Sequence, residues 1–248
     1  MSCFFFIFFD IILIGDRMEK SSYKKSCLTG IIAILVYMIV PDIAIPVLKM
    51  FNIDYYSLSL AFKIFFIIIS ELLTLSILIL IYSKDFSKDF SDLKNNWKKY
   101  ADKYIKYWII VLFIMAISNS LITYFTGSQT SANEEAVRNL MQKVPLYMFL
   151  SSVFYAPVCE ELIFRKSLKK IIPIKWLFIM ISGLIFGGLH VLTGFSGVKD
   201  LLYLIPYCTP GFVLAYAYQD TDNILVSISI HFIHNFILVI LQYLIYFL

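Results

Sequence analysis

Three short motifs in the second half of the chain contain all of its histidines. They read EELIFR, FGGLH and HFIHN, and each lies in or at the end of an apolar stretch. A charged side chain at the centre of a membrane helix costs about 2.5–3.5 kcal/mol on insertion scales. Ionisable residues in such surroundings therefore predict a functional site. The motifs supply Glu160, Glu161, Arg165, His190, His231, His234 and Asn235.

The spacing within the first and third motifs indicates which side chains face each other. Glu161 and Arg165 are four residues apart, so on a helix they can form an ion pair. Glu160 is turned about 100° away from its neighbour, which leaves it available for chemistry. His231 and Asn235 are also four residues apart, and we expect both to point into one site.

The second motif adds a histidine and a close helix contact. Phe186 precedes His190 by one helical turn, so we expect the two rings to pack together. Gly183 and Gly187 form a G-x-x-x-G pattern, which permits close helix approach in a membrane and would bring His190 near a partner helix. His234 lies near the face of the third motif's other polar residues, and its role stays open.

This set of side chains is suited to hydrolysis. A buried carboxylate can act as a general base toward water, and a neighbouring histidine can help to hold that water. A second histidine and an asparagine can donate hydrogen bonds to the oxyanion of a tetrahedral intermediate. The motifs therefore predict a site that hydrolyses a peptide bond.

The elements that position these motifs are predicted to be membrane helices. Of the 248 residues, 60% are hydrophobic and 15% are charged, against about 25% charged in an ordinary soluble domain. Apolar stretches of roughly 20 residues recur, the length that crosses a bilayer. We predict an all-α, polytopic transmembrane helical bundle with about seven to eight spans. The spans are placed near residues 27–48, 56–82, 107–126, 146–168, 175–193, 201–218 and 223–247.

The domain prediction has two parts. Residues 1–17 form an apolar extension that is either an extra span or an artefact of start-site choice. Residues 18–248 form a single membrane domain, with the catalytic core at about 145–240. The four cysteines show no C-x-x-C spacing, which favours neither a zinc ribbon nor a disulfide framework. No basic cluster lies in a soluble domain, so nucleic acid is not an expected partner.

The basic residues predict the topology. Most of the 21 lysines and arginines precede the first of the seven spans, separate the second from the third, or follow the fourth. All three groups share one side if the spans alternate. By the positive-inside rule, residues 17–26 are cytoplasmic and the C-terminus lies outside.

Two polar stretches are predicted to be helical. In residues 84–106 an apolar side chain recurs every three or four positions, which indicates an amphipathic helix on the membrane surface; a solvated charged loop is the alternative. Ser131 followed by Glu134 resembles a capping box, and the short helix it begins could gate access to the site.

The order of the three motifs on successive late helices resembles the CPBP family, the CAAX-protease and bacteriocin-processing membrane proteins also called the Abi family. The resemblance covers about residues 145–240 and implies an intramembrane endopeptidase. It implies that Glu160 and His190 activate water and that His231 and Asn235 form the oxyanion hole.

The resemblance also bears on supporting residues and on metal. Glu161 and Arg165 match the supporting positions of the first motif. No cofactor is expected, and no H-E-x-x-H motif is present. A zinc ion held by Glu160, His190 and His231 is the alternative. Cys159 as a nucleophile is disfavoured, since a thiol in an apolar span is usually inert.

These observations predict an endopeptidase that cleaves a membrane-embedded or membrane-associated peptide or protein. The composition resembles that of an AT-rich bacterium, which favours the bacterial plasma membrane and a role in peptide maturation or bacteriocin self-immunity. A non-catalytic immunity or scaffold protein that binds a peptide in the bilayer is the alternative function. The chain shows no paired halves of the kind expected for a transporter.

Overall fold

A computed structural model describes residues 20–128 and 130–247, so the predicted extension at residues 1–17 lies outside the described residues. Those residues form helices joined by short turns, and no strand occurs among them. The predicted all-α class is therefore confirmed. The helices are α1 (Lys20–Ile39), α2 (Ala44–Met50), α3 (Leu60–Thr126), α4 (Ala132–Lys143), α5 (Pro145–Ile171), α6 (Lys175–Leu192), α7 (Leu204–Thr221) and α8 (Ile224–Phe247).

Across the described residues, six helical segments are long and apolar enough to cross a membrane. The sequence predicted seven separate spans, and the difference lies in α3. This helix has 67 residues and contains both the span predicted at 56–82 and the one predicted at 107–126. Residues 60–126 include neither glycine nor proline, so the pattern of backbone hydrogen bonds has no residue that must interrupt it.

The first predicted span, 27–48, is wrong as a single helix. A 3₁₀ turn, Val40–Asp42, separates α1 from α2. Pro41 lies at the start of this turn, where its missing N–H and its fixed φ favour a new helical beginning over continuation of α1. The remaining boundaries agree with the predicted spans to within a few residues.

The chain divides into two compact units, and both α3 and α5 contribute to each of them. The first unit contains the chain up to Ser83 together with Lys166–Phe178. Within it Gly30 of α1 lies against the end of α5: a Cβ on this glycine would be 2.7 Å from the carbonyl oxygen of Ser167. Tyr82 and Ser167 share a hydrogen bond of 2.7 Å between their hydroxyls. The prediction of a single membrane domain stays a prediction.

The second unit, Lys84–Arg165 and Ile179–Leu248, contains all three motifs. A close helix contact in this unit joins α6 and α7 at the predicted G-x-x-x-G pattern. A Cβ on Gly187 would lie 2.6 Å from the backbone nitrogen of Cys208, and one on Gly183 would overlap the ring of Phe212. The absence of side chains at these two positions therefore lets α7 approach the helix that carries His190.

The charged stretch 84–106 is helical, as predicted, but its apolar side chains do not share one environment. Phe90 and Trp97 are 63% and 56% exposed, whereas Tyr104 is 2% exposed. Tyr104 packs with Ala217 and Val226 near the ends of α7 and α8. The apolar face is thus split between the protein interior and the surface. Its location at a membrane surface stays a prediction.

The polar side of the same stretch holds the turn between α7 and α8. The side-chain amide of Asn223 donates to the backbone carbonyl of Asp89 and to the carboxylate of Asp92, each at 2.7 Å. The Asp89 carboxylate accepts from the backbone N–H of Ile224 at 3.4 Å. Since this N–H begins α8, the contact satisfies a group that a helix leaves unpaired at its start.

Candidate active site

One cavity in the second unit brings the three motifs together. We call it the histidine cavity; its volume is about 500 Å³ and it is lined by residues of α3, α4, α5, α6, α7 and α8. The predicted catalytic residues Glu160, His190, His231 and Asn235 all line it. Residues on three separate late helices thus line one cavity, as the motifs predicted.

Glu161 lies behind this cavity wall and is fully buried. Its carboxylate is 3.1 Å from Arg165 Nε, and both side chains are 0% exposed. It also accepts hydrogen bonds from His231 Nδ1, at 2.9 Å, and from the Ser227 hydroxyl. The predicted ion pair is therefore present, with further polar partners on α8. Such compensation is what a buried carboxylate requires.

Arg165 is held by contacts on α6. Its Nη1 donates to the Ser182 hydroxyl at 2.8 Å, and its guanidinium carbon lies 4.9 Å from the centroid of the Phe186 ring. A cation over an aromatic face is attracted by the ring's quadrupole. The first motif is thus tied to the second through Arg165 and Phe186.

His231 lies between the two glutamates. Because a carboxylate can only accept, the hydrogen bond to Glu161 places a proton on His231 Nδ1. The other ring nitrogen, Nε2, is 3.8 Å from Glu160 Oε2. Two atoms at that separation can share one water at about 2.8 Å from each. The sequence did not predict that His231 lies between the two glutamates.

Glu160 is the more accessible of the two acids. Its side chain retains 16% exposure and lines the histidine cavity, whereas Glu161 is sealed from it. Adjacent residues on a helix point about 100° apart. Water can therefore reach the Glu160 carboxylate but not the Glu161 carboxylate.

His190 is oriented by its own helix and by α7. Its Nδ1 lies 2.9 Å from the Phe186 carbonyl oxygen, which can only accept, so Nδ1 carries a proton. The Phe186 ring packs 4.7 Å from the imidazole, as predicted. Tyr207 stacks on it from α7, with centroids 5.2 Å apart and an interplanar angle of 24°.

Asn235 is positioned by an irregularity in α5. Its amide nitrogen donates to the Ser152 carbonyl at 2.9 Å. This carbonyl lies in a π-helical turn, Ser151–Tyr155, in which the N–H of Ala156 bonds to Ser151. The next residue, Pro157, has no N–H to offer. The Ser152 carbonyl is therefore available to Asn235, which keeps one amide hydrogen for another partner.

The third histidine also lines the cavity. His234 is 7% exposed, and its Nδ1 has no hydrogen-bond partner among the described residues. The sequence placed it near the face of His231 and Asn235 without a role, and the structure agrees with that placement.

Helix α4 covers one side of the cavity. From the sequence, this helix was suggested to gate access to the site. Ser131 caps it by accepting from the backbone N–H of Glu134 at 3.2 Å, which is one half of the predicted capping box. The Glu134 side chain accepts from Arg138 and Gln242. The Ser131 hydroxyl also lies 2.7 Å from that of Tyr207. Tyr207 therefore joins the start of α4 to the His190 ring.

Several contacting residues were missed by the sequence reasoning. They are single polar or aromatic residues on other helices, without a recurring spacing that could have marked them. They are Ser152, Ser182, Tyr207, Ser227 and Gln242.

The alternative zinc set does not form a metal-binding group. Within residues 20–128 and 130–247, no three His, Cys, Asp or Glu side chains lie in an arrangement that could hold a metal ion. Glu160, His190 and His231 are not among such groups in this part of the chain, and the expectation that no cofactor takes part stays a prediction.

The long apolar helices indicate an integral membrane protein, and its histidine cavity holds a carboxylate–histidine site. Comparison with known proteins shows which family this part of the chain resembles. Residues 142–237 match the family model of the type II CAAX prenyl endopeptidase Rce1-like proteins. This match confirms the resemblance to the CPBP family over the stretch that contains all three motifs.

Individual relatives agree with that match. The chain is 35% identical over 137 residues to the Bacillus subtilis (strain 168) protein named "Putative membrane peptidase YdiL". It is 28% identical over 159 residues to "Membrane-embedded CAAX protease MroQ" of Staphylococcus aureus (strain USA300). These matches cover 54% and 56% of this chain. They span only 52% and 59% of the relatives. No solved structure matches the chain.

Proposed function

We propose that this protein is an intramembrane endopeptidase that hydrolyses a peptide bond of a membrane-associated peptide or protein. The observation that carries the proposal is the convergence of Glu160, His190, His231 and Asn235 on one cavity. The family resemblance of residues 142–237 supports the same reaction class.

Glu160 acts as the general base in this proposal. Its Oε2 and His231 Nε2, 3.8 Å apart, hold the attacking water between them, and His190 helps to orient that water. As the water oxygen bonds to the scissile carbonyl carbon, its proton passes to the Glu160 carboxylate. Glu160 then gives this proton to the leaving amine as the C–N bond breaks.

His231 and Asn235 stabilise the developing oxyanion. Asn235 offers the amide hydrogen that Ser152 does not use. The second proton of the attacking water passes from the hydroxyl of the tetrahedral intermediate to His231 Nε2, which then donates a hydrogen bond to the oxyanion, and the Glu161 carboxylate at 2.9 Å from Nδ1 stabilises the resulting imidazolium, as the acid of a catalytic triad does. When the intermediate collapses to a carboxylate, His231 gives this proton to the released amine. Donors aimed at the oxyanion lower the barrier because it carries the new charge.

The setting of the reaction is also proposed. The enzyme lies in a bacterial plasma membrane, with residues 17–26 cytoplasmic and the C-terminus outside. Its substrates are signal peptides or bacteriocin-like peptides, and its biological role is peptide maturation or self-immunity. A protein that only binds such a peptide would keep its protective effect without any cleavage.

The proposal is tested with purified protein in nanodiscs. One peptide pool resembles signal peptides, a second carries C-terminal farnesylated cysteines, and cleavage is followed by mass spectrometry. Replacing Glu160 by Ala or His190 by Ala should lower the cleavage rate about 10²–10⁴-fold, the range for general-base catalysis. Glu135→Gln is the control, because Glu135 is exposed on α4 and does not line the cavity. Full activity in both alanine variants would refute the protease assignment.

A chelator titration of the same preparation addresses zinc. We expect the cleavage rate to stay unchanged, since Glu160 and the histidines act directly in this mechanism. Loss of activity that added zinc restores would require the metal alternative instead.

A further inference from the structure

On the inner face of α8, two buried polar atoms have no hydrogen-bond partner among the described residues. Beyond His231 the face of this helix on the histidine cavity continues through His234, Leu238 and Gln242. These positions follow the three- and four-residue steps that align side chains on one side of a helix. The unpartnered atoms are His234 Nδ1 and Gln242 Oε1, for which the described part of the chain offers no hydrogen-bond partner.

The orientation of the Gln242 amide follows from its neighbours. Its nitrogen donates to the Glu134 carboxylate, which also accepts from Arg138 Nε at 2.9 Å. Since a carboxylate cannot donate, the nitrogen must face Glu134 and the amide oxygen must face away. Gln242 Oε1 can therefore accept a hydrogen bond from water or from a bound molecule that carries a donor.

The chemistry of these atoms restricts the occupant. A lipid tail offers no donor to Gln242 Oε1, and a deprotonated phosphate or carboxylate offers only acceptors. A peptide main chain carries an N–H and a carbonyl on almost every residue. Leu238 lies between the two polar positions and gives apolar side chains a surface to contact.

The length of this face suits a short extended segment. From His231 to Gln242 the helix rises about 16 Å, at 1.5 Å per residue. A strand of about five residues covers the same distance at roughly 3.3 Å per residue. The end at His231 lies beside Glu160, where the proposed hydrolysis takes place.

We infer that the α8 face from His231 to Gln242 binds the main chain of an extended peptide of about five residues next to the scissile bond. Gln242 Oε1 accepts a peptide N–H, and His234 Nδ1 hydrogen-bonds a second main-chain group. This inference rests on the proposed function in taking the cavity's occupant to be a peptide. His234 and Gln242 are binding residues in it and do not take part in proton transfer.

The test measures binding separately from cleavage. Glu160→Gln protein in nanodiscs is incubated with a pool of synthetic apolar pentadecapeptides, and retained peptides are counted by mass spectrometry. We expect this variant to retain a subset of the pool. Adding Gln242→Leu or His234→Phe should lower retention of that subset at least tenfold. Leu241→Ala is the matched control, because Leu241 is half exposed on the same helix and does not line the cavity.

A second readout assigns the hydrogen bond. Retained peptides are resynthesised with one amide N-methylated at a time, which removes a single N–H. One N-methyl position should weaken binding strongly to protein with Gln242 and little to the Gln242→Leu variant, because both changes remove the same bond.

Two outcomes would overturn the inference. Equal retention by the Gln242→Leu and His234→Phe variants would show that these atoms do not bind peptide. Failure of the Glu160→Gln protein to retain any peptide would show that the face is not a peptide site. Cleavage by the wild-type protein is assayed on the same pool. If the wild-type protein cleaves the pool but Gln242→Leu and His234→Phe do not change retention, the protease proposal holds and this inference is wrong. If peptides are retained but not cleaved, the protease proposal is wrong and a peptide-binding site remains.

Discussion

Glu160 and Glu161 are adjacent in sequence but occupy different environments. Glu161 is closed off by Arg165, Ser227 and His231, so it orients other groups. Glu160 keeps part of its side chain open to the cavity. The i, i+4 spacing was enough to predict this division from the sequence. The sequence could not show Ser227 or His231 as partners of Glu161, since they approach from a helix 66 and 70 residues away.

The buried ion pair should make Arg165 important for stability. Arg165→Met leaves the Glu161 carboxylate buried without its cation, and we expect the free energy of unfolding to fall by about 3–5 kcal/mol. Denaturant unfolding of the protein in detergent micelles measures this change.

Arg138 provides the matched control for this experiment. It also pairs with a glutamate four residues away, Glu134, but the two side chains are 38% and 27% exposed. Arg138→Met should cost about 0–1 kcal/mol. Equal losses for the two substitutions would show that burial does not distinguish the pairs.

Helix α5 was predicted as one apolar span, but it contains an irregular turn that the sequence alone did not reveal. Its span was predicted from apolar length. The π-helical turn at Ser151–Tyr155 depends on how Pro157 is accommodated, and a proline in a helix can produce several different distortions. The use of the freed Ser152 carbonyl by Asn235 requires α8 as well, so no local pattern could predict it.

Pro157→Ala should affect activity more than stability. The new N–H can bond to a carbonyl of the preceding turn, and this competes with Asn235 for Ser152. We expect the cleavage rate to fall on the order of tenfold as Asn235 loses its fixed position. The free energy of unfolding should hold or rise, since alanine favours a helix interior.

The double variant makes this interpretation specific. If Pro157 acts through Asn235, adding Pro157→Ala to Asn235→Ala should lower the cleavage rate little further. Independent, multiplicative losses of rate would contradict the link between the two residues.

The contact between α6 and α7 allows a second test at this scale. Gly187→Leu would push side-chain atoms into the backbone of Cys208, and such overpacking should lower the free energy of unfolding by about 1–3 kcal/mol. It should also separate Tyr207 from His190 and reduce cleavage. Gly188→Leu is the control, because a Cβ at Gly188 meets nothing within 4 Å. Thermal unfolding in detergent measures both variants. Equal losses of stability would contradict a role for Gly187 in close helix packing.

Across the whole molecule, apolar length and charge predicted a helical membrane protein, but not the continuity of its longest helix. Two apolar stretches flank residues 84–106, and composition suggested three separate segments. The structure joins them in α3, because a helix ends where a breaker or a competing contact ends it and not where polarity changes. Helix packing at Tyr104 depends on distant residues, which explains why the sequence assigned this face to the membrane alone.

The predicted topology can be measured on the intact protein. In a background without the four cysteines, Lys94→Cys should react with a membrane-impermeant maleimide only from the cytoplasmic side. Glu135→Cys should react only from the outside. The positive-inside rule gives this expectation, since residues 84–106 are rich in lysine. The reverse labelling pattern would require the whole molecule to be inverted in the membrane.

The pairing of Glu161 with Arg165 also has a consequence for biosynthesis. The later partner His231 is translated 70 residues after Glu161, when α5 has already left the ribosome. Because the two charges lie one turn apart on the same helix, they can neutralise each other as soon as that helix forms. When α5 enters the translocon, Glu160 is therefore the only residue of the EELIFR motif whose charge is not neutralised within the helix. The later helices that complete the site have not yet been synthesised.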